Sequence, residues 1–542
     1  MRGRRIPLPL PNTGAMYRRK NSLCIRAILL IFIMLFVILQ LHLFNYTEVH
    51  DNTLVDTTND TAAAILSMVP SVFHKFLAHK SRNQTYGHGN GTQNGFVELY
   101  HPPNISEIKK MIAKYNELQI VLNEDIFGPL QNDSVIIVVQ VHTRITYLKH
   151  LIVSLAQARD ISRTLLVFSH DYYDEDINDL IQTIDFCKVM QIFYPYSIQT
   201  HPHEFPGVDP GDCARDMKKE QALIKKCNNA QHPDLYGHYR EAAFTQTKHH
   251  WWWKANRVFD QLEITRCHTG LVLFLEEDHY VAEDFLYLLE LMQKRALQLC
   301  QNCNILSLGT YLKTFNYYTY NSKNKNKAYY GQYTGSSASN NILGNYGNKL
   351  KTYQNQNSFH LDRKNKPTSN ELKNSNNVAQ QTWSYHVLPS LYSVYQKVEV
   401  MPWISSKHNM GFAFNKNTWQ SIRNCAIHFC NYDDYNWDWS LQHLSQQCLK
   451  NKLRAMIVKG PRVFHIGECG VHHKKKNCES NQVISKVQQV LRIAKNSGQM
   501  FPKSLTLTVA SLIKRTKLRK GNGGWGDERD HELCLNFTRV NR

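Results

Sequence analysis

The chain has 542 residues, enough for a sizeable core and more than one domain, and a formal net charge of +20 at pH 7. That charge invites nucleic acid as a partner, but its distribution removes the reason. Seven basic residues lie in the first 26, and residues 316–394 hold nine basic and two acidic ones, which leaves an ordinary balance elsewhere.

The basic segment 1–26 precedes Ala27 to Phe44, an apolar run broken only by Gln40 and His42. Its length just crosses a bilayer, and the basic flank should stay cytoplasmic. A long basic tail and the lack of a small-residue cleavage site favour a signal anchor over a cleaved signal peptide. The expected layout is a cytoplasmic tail (1–26), a transmembrane helix (27–44), a lumenal stem (45–131) and a catalytic domain (132–542). Seven glycosylation sequons agree with lumenal exposure: Asn45, Asn59, Asn83, Asn90, Asn104, Asn132 and Asn536. Lumenal placement also argues against nucleic acid as a partner.

Val135 to Val141 predicts a buried strand ending in His142-Thr143-Arg144, followed by a helical apolar period from 147 to 155. Thr164 to Phe168 predicts a second strand, running into Asp171, then a helix over 174–184 and a third strand over 189–193. This β-α-β-α-β order points to a nucleotide-binding type of half-domain. Arg144 and Asp171 fall just past strand ends, as nucleotide contacts or as plain surface and capping residues. Residues 199–240 lack a period and read as a loop braced by a disulfide between Cys213 and Cys227.

Phe244 to Lys254 (FTQTKHHWWWK) predicts the start of a helix reaching about Ile264. Three consecutive tryptophans cannot share one helix face, so some are expected at a crevice and others in the core. Lys248, His249 and His250 form either an exposed basic turn or a set of phosphate contacts. Leu271 to Leu275 is a strand apolar on both faces, as in a largely parallel sheet, and it delivers Glu276, Glu277 and Asp278 to the sheet's carboxyl edge. Hard oxygen ligands there suit a divalent cation bridging to a diphosphate; acids complementing a helix start are the ordinary alternative.

A helix over 283–298 and a strand over 305–308 follow. Residues 316–394, rich in Asn, Tyr, Ser and Lys, are expected to be a disordered insertion near the active face. Strands at 411–414, 453–458 and 462–466 and a helix at 417–425 complete the core. Tyr432 to Trp439 alternates acids with aromatics, which suits either a helix start or sugar recognition. His465 near a strand end is a metal-ligand candidate or a packed histidine. Twelve cysteines lie beyond the anchor, where oxidation is expected. Cys300-x-x-Cys303 could be half a zinc site, but with no second tight pair to complete the ligands a disulfide is favoured.

Blocks of the chain resemble the N-acetylglucosaminyltransferase II family: VVQVH, VFSHD, HEFPG, GHYREA, QTKHHWWWK, LFLEEDHY, LSLGTY, HNMG, CNYDDYNWDW, PRVFH, HHKK and NGGWGDERDHELC. They run from about residue 135 to 534, outside the insertion. The resemblance implies an α/β fold of the GT-A type, with a mixed, mostly parallel sheet flanked by helices. It implies transfer of N-acetylglucosamine from UDP-N-acetylglucosamine, with inversion, to O2 of the mannose on the α1,6 arm of N-glycans. The implied cofactor is Mn2+, the setting a Golgi membrane, and the acceptor an N-glycan on a glycoprotein; a homodimer stays open.

Residue by residue, Asp278 and His465 match the metal ligands and Asp438 the catalytic base, with Trp437 beside the acceptor. Gln140, Val141, His142, Thr143, Arg144 and Asp171 match donor-binding segments, as do Gln246, Thr247, Lys248, His249 and His250. The implied disulfides are Cys213–Cys227, Cys300–Cys303, Cys425–Cys448, Cys430–Cys534 and Cys469–Cys478, leaving Cys187 and Cys267 free or joined to each other. Two departures stand out: Thr143 where the family commonly has Asn, and the insertion in place of a short loop that reaches towards the donor. Which residue near Lys313 and Phe315 takes the place of the basic donor contact expected there stays open. Transfer to another mannose, or glycan binding without catalysis, are the competing functions.

Overall fold

The computed structural model describes residues 63–78, 102–309, 394–467, 480–508 and 521–539. The expected anchor at 27–44, the insertion at 316–394 and the Cys469–Cys478 pair lie outside the described residues. Among the described residues, no helix is long and apolar enough to cross a membrane.

Ten strands form one mixed sheet. In chain order they are β1 (Val121–Leu122), β2 (Ile136–Val141), β3 (Leu165–His170), β4 (Lys188–Phe193) and β5 (Leu271–Glu276). After β6 (His279–Val281), which lies outside the sheet, come β7 (Ile305–Ser307), β8 (Lys397–Pro402), β9 (Phe412–Asn415) and β10 (Arg454–Val458). Then β11 (Val463–His465) pairs with β6, and β12 (Thr506–Thr508) returns to the sheet. The spatial order is β1-β4-β3-β2-β5-β9-β7-β10-β8-β12. The run β4-β3-β2-β5 is parallel, as the β-α-β-α-β pattern predicts. Antiparallel β9 is wedged between β5 and β7.

Helices cover both faces: α1 (Ile105–Leu118), α2 (Ile145–Ala156), α3 (Glu175–Gln182), α4 (Ala242–Asn256) and α5 (Phe285–Leu299) in the first half. The second half adds α6 (Lys416–Asn424), α7 (Ala426–Cys430), α8 (Trp437–Gln447), α9 (Ser480–Asn496) and α10 (Glu528–Arg539). Alternate residues of the central strands feed two cores: Ile137 and Val139 pack towards α2 and α5, Ile136 and Val138 towards α4 and α8. Strands buried on both faces must be apolar over most of their length, which is why Ile136 to Val139 and Leu271 to Leu275 read as unbroken hydrophobic runs.

Three expectations need correction. Part of the expected stem belongs to the body: Asn104 caps α1 through a capping box, Ile108 and Ile112 bury against Phe193, and β1 extends the sheet. Phe76, further upstream, is fully buried in the first core. The tryptophans do not divide between crevice and core, because Trp251, Trp252 and Trp253 are all buried. They reach different neighbours around one helix: Trp251 stacks on Trp437, Trp252 on Phe429, and Trp253 meets Tyr194 edge-on. Finally, α4 ends at Asn256, a π turn over Arg257–Gln261 follows, and the chain turns extended at Leu262.

Four disulfides form as the resemblance implies: Cys213–Cys227, Cys300–Cys303, Cys425–Cys448 and Cys430–Cys534. The last ties α7 to α10. Cys187 and Cys267 are free, the first buried and the second exposed.

Candidate active site

The site lies beyond the carboxyl ends of β2, β3 and β5. Register fixes its first members, since Gln140 pairs with Ser169 on one side and with Glu276 on the other. Past β2 the chain turns into α2, carrying His142, Thr143 and Arg144 over the acids. The Glu277 carboxylate accepts from the backbone N–H of His142 at 2.8 Å and from Arg144 Nε at 2.7 Å. Arg144 also donates to Asp278 Oδ2 at 2.8 Å. Glu277 is therefore taken up in holding the β2–α2 turn.

Asp278 is almost fully buried. Burial alone would raise its pKa, but the hydrogen bond from His465 and the charges of His465 and Arg144 hold it well below the usual carboxylate range. His465 Nε2 lies 3.2 Å from Asp278 Oδ2. The antiparallel pairing of β6 with β11 brings this about by setting His465 opposite His279. Burial works against the charged form of His465, yet the bond to Asp278 prevails and raises its pKa. His279, buried with no such bond, is pushed down to about 3.

The residues fit a divalent cation. Asp278 Oδ1 is buried and, among the described residues, meets no hydrogen-bond donor. Ligand atoms of Glu276, Asp278 and His279 lie within 4.8 Å of one another. Carboxylate oxygens with imidazole nitrogen form a donor set open to a divalent transition metal. Gly467 closes the site from the far side, where an added Cβ would sit 2.3 Å from Asp278 Oδ2. The cluster thus joins Glu276 and His279 to Asp278, whereas His465 touches Asp278 Oδ2 and is outside that three-residue group; His279 was marked in the sequence only by its adjacency within LFLEEDHY.

Around the nucleotide end, His142 Nδ1 bonds Asp171 Oδ1 at 2.6 Å, and that bond raises the His142 pKa. His250 approaches the other Asp171 oxygen at 3.4 Å and bonds Ser169 Oγ at 2.8 Å. Val141 is buried in β2, and Thr143 is exposed on the turn. Gln246 accepts from the Ile198 N–H, and Thr247 is half-buried. Lys248 and His249 face inward. Lys248 Nζ donates to the carbonyls of Tyr432 and Asp434, and burial draws its pKa down to about 7. His249 bonds Asp530, which also pairs with buried Arg240. In this structure both residues pin the second half of the chain to α4.

Asp438 occupies the first turn of α8 and is 8% exposed. Its Oδ1 accepts from the Trp439 N–H at 2.9 Å and its Oδ2 from Asn409 Nδ2 at 3.0 Å. Burial, with the negative charges of Asp434 and Glu276 adding to it, pushes its pKa up to about 7. A carboxylate poised near neutrality is what general-base work requires. Trp437 lies parallel to Trp251 at 4.7 Å and is 6% exposed, so its ring is chiefly a support for the α8 start. Asn409 sits in the HNMG block, and nothing local in the sequence marks it as the partner of Asp438.

An open α/β sheet carries an acid–histidine cluster at its carboxyl edge and a buried carboxyl, Asp438, raised towards neutrality, and comparison with known proteins gives the class as glycosyltransferase. Residues 109–356 and 352–534 match the model of the family N-acetylglucosaminyltransferase II (MGAT2). The chain is 37% identical over 432 residues to the alpha-1,6-mannosyl-glycoprotein 2-beta-N-acetylglucosaminyltransferase of Rattus norvegicus, covering 80% of each chain. It is 38% identical to the Homo sapiens enzyme of that name (80% and 79% covered) and 28% to the Arabidopsis thaliana one (78% of each). The chain belongs to the N-acetylglucosaminyltransferase II family.

Proposed function

We propose that the protein transfers N-acetylglucosamine from UDP-N-acetylglucosamine to O2 of the α1,6-arm mannose of N-glycans, with inversion, on a GT-A-type fold. Family membership supports donor and acceptor. The single structural observation supporting the mechanism is a buried carboxyl, Asp438, raised to about 7 and distinct from the Glu276–Asp278–His279 cluster.

Inversion by single displacement needs one carboxylate. Asp438 takes the proton of the attacking hydroxyl as its oxygen bonds to the anomeric carbon, while the bond from that carbon to UDP breaks. Asn409 and the Trp439 N–H hold the two carboxylate oxygens, so the base meets the acceptor in a set orientation. Arg144, braced on Glu277 and Asp278, places positive charge at the diphosphate end. Asp278 and His465, with Glu276 and His279 in reach, would hold Mn2+, which when bound offsets the negative charge developing on the departing diphosphate. Asp171, Gln140 and His142 line the nucleotide end. Golgi residence as a single-pass type II membrane protein, anchored by residues 27–44, completes the proposal.

The test is an assay of the lumenal chain, begun upstream of residue 63 so that Phe76 is retained. It is offered UDP-N-acetylglucosamine and a trimmed N-glycan already bearing N-acetylglucosamine on its α1,3 arm. Product is expected with Mn2+ and none after EDTA. Undiminished turnover in EDTA would sink the metal assignment, and glycan binding without transfer would favour a lectin.

A further inference from the structure

Lys254 closes the tryptophan-rich segment, and the proposed reaction gives it no task. Its side chain is 1% exposed on α4, and its Nζ donates to Gln140 Oε1 at 2.5 Å. Among the described residues no carboxylate oxygen comes within 4.0 Å of that ammonium; Glu276 and Asp171 act on it only at longer range. A buried ammonium without a contacting counter-ion is costly, and methionine would fill similar space more cheaply. Stability alone therefore does not account for a lysine here.

The contact with Gln140 does. A glutamine amide can present its oxygen or its nitrogen to a given neighbour, and the backbone does not choose between them. An ammonium only donates, so it selects the amide oxygen and turns the amide N–H groups the other way. Gln140 is the half-buried penultimate residue of β2, between Ser169 and Glu276 at the sheet's carboxyl edge. We infer that Lys254 is a positioning residue for donor binding: it fixes the Gln140 amide so that its N–H groups face the acceptor-rich nucleoside diphosphate sugar. This rests on the donor placement proposed above.

The test compares wild type with Lys254→Met, Gln140→Leu, the double variant and Gln140→Glu. UDP-N-acetylglucosamine affinity is measured by calorimetry on the full chain in detergent with Mn2+, alongside thermal midpoints and the two Michaelis constants. Losing a correctly oriented charged-partner hydrogen bond should weaken donor binding on the order of tenfold in each single variant. Because Lys254 acts through Gln140, the double variant should be no weaker than Gln140→Leu. Donor KM should rise while acceptor KM stays, and the midpoint of Lys254→Met should hold or increase. Gln140→Glu still accepts from Lys254 but has no N–H to offer, so it too should bind donor weakly; this arm decides the matter if Lys254→Met does not fold. Wild-type affinity in Lys254→Met or Gln140→Glu, or additive losses in the double variant, would overturn the inference alone. Failure of the wild type to bind the donor would overturn the donor placement with it.

Discussion

Replacing Asp438 by Asn should cripple turnover and, at alkaline pH, stabilise the fold. The carboxyl has its pKa raised from 3.8 to about 7, chiefly by burial. Between those values the folded state keeps a proton that the unfolded chain has lost. Stability is thus full below pH 3.8 and declines as pH rises towards 7, because an ionised carboxylate must then stay buried. A shift of this size corresponds to about 4 kcal/mol lost above pH 7. Asparagine escapes that loss but cannot accept from both Asn409 and the Trp439 N–H, which returns roughly 1 kcal/mol. The variant should therefore gain about 3 kcal/mol at pH 8 and be slightly weaker than wild type at pH 4. Thermal or urea unfolding across pH 4–8 measures this, and the two stability curves should cross. Transfer by the variant should fall by roughly 10²–10⁴, and wild-type kcat/KM should drop about tenfold per pH unit below 7. Parallel stability curves, or a variant that turns over normally, would refute the assignment of Asp438 as a buried base.

Gly467→Ala should drive a Cβ to 2.3 Å from Asp278 Oδ2 and displace the carboxylate, so Mn2+ affinity by calorimetry should fall with the fold intact. Arg462→Met strands Asp284, whose Oδ1 the guanidinium meets at 2.6 Å with both side chains fully buried, and should cost about 3–5 kcal/mol in denaturant titration. Removing Cys430–Cys534 by double serine substitution unties α7 from α10 and should cost about 2–5 kcal/mol. An unchanged unfolding midpoint in either stability test would contradict its premise.

The central sheet was legible because β2, β3, β4 and β5 are each built on a largely apolar run covered on both faces, a local pattern that sequence displays directly. The order β5-β9-β7 was not, since an antiparallel strand wedged between others leaves no mark on its own residues. The stem was misread for a similar reason. Segment 102–131 is polar on its outer face, and its packing against β4 rests on a few residues: Ile108 and Ile112, β1, and Asn116, which exchanges hydrogen bonds with the Phe193 backbone.

Within the site, motif residues were easier to find than to assign. In QTKHHWWWK the sequence leaves Lys248, His249 and His250 as either an exposed basic turn or phosphate contacts, yet a helix turns each successive residue by about 100°. Lys248 and His249 consequently reach Tyr432, Asp434 and Asp530, His250 reaches Ser169, and Lys254, unremarked at the end of the run, reaches Gln140. Asp438 shows the same limit from the other side. Its position in YDDYNWDW is local information, but its poise near neutrality depends on burial, Asn409 and the field of Glu276, 162 residues earlier in the sequence. The pairing of β5 with β9 accounts for that reach: it sets the strand carrying Glu276 beside the one that follows Asn409, and so assembles the base's surroundings from two distant motifs.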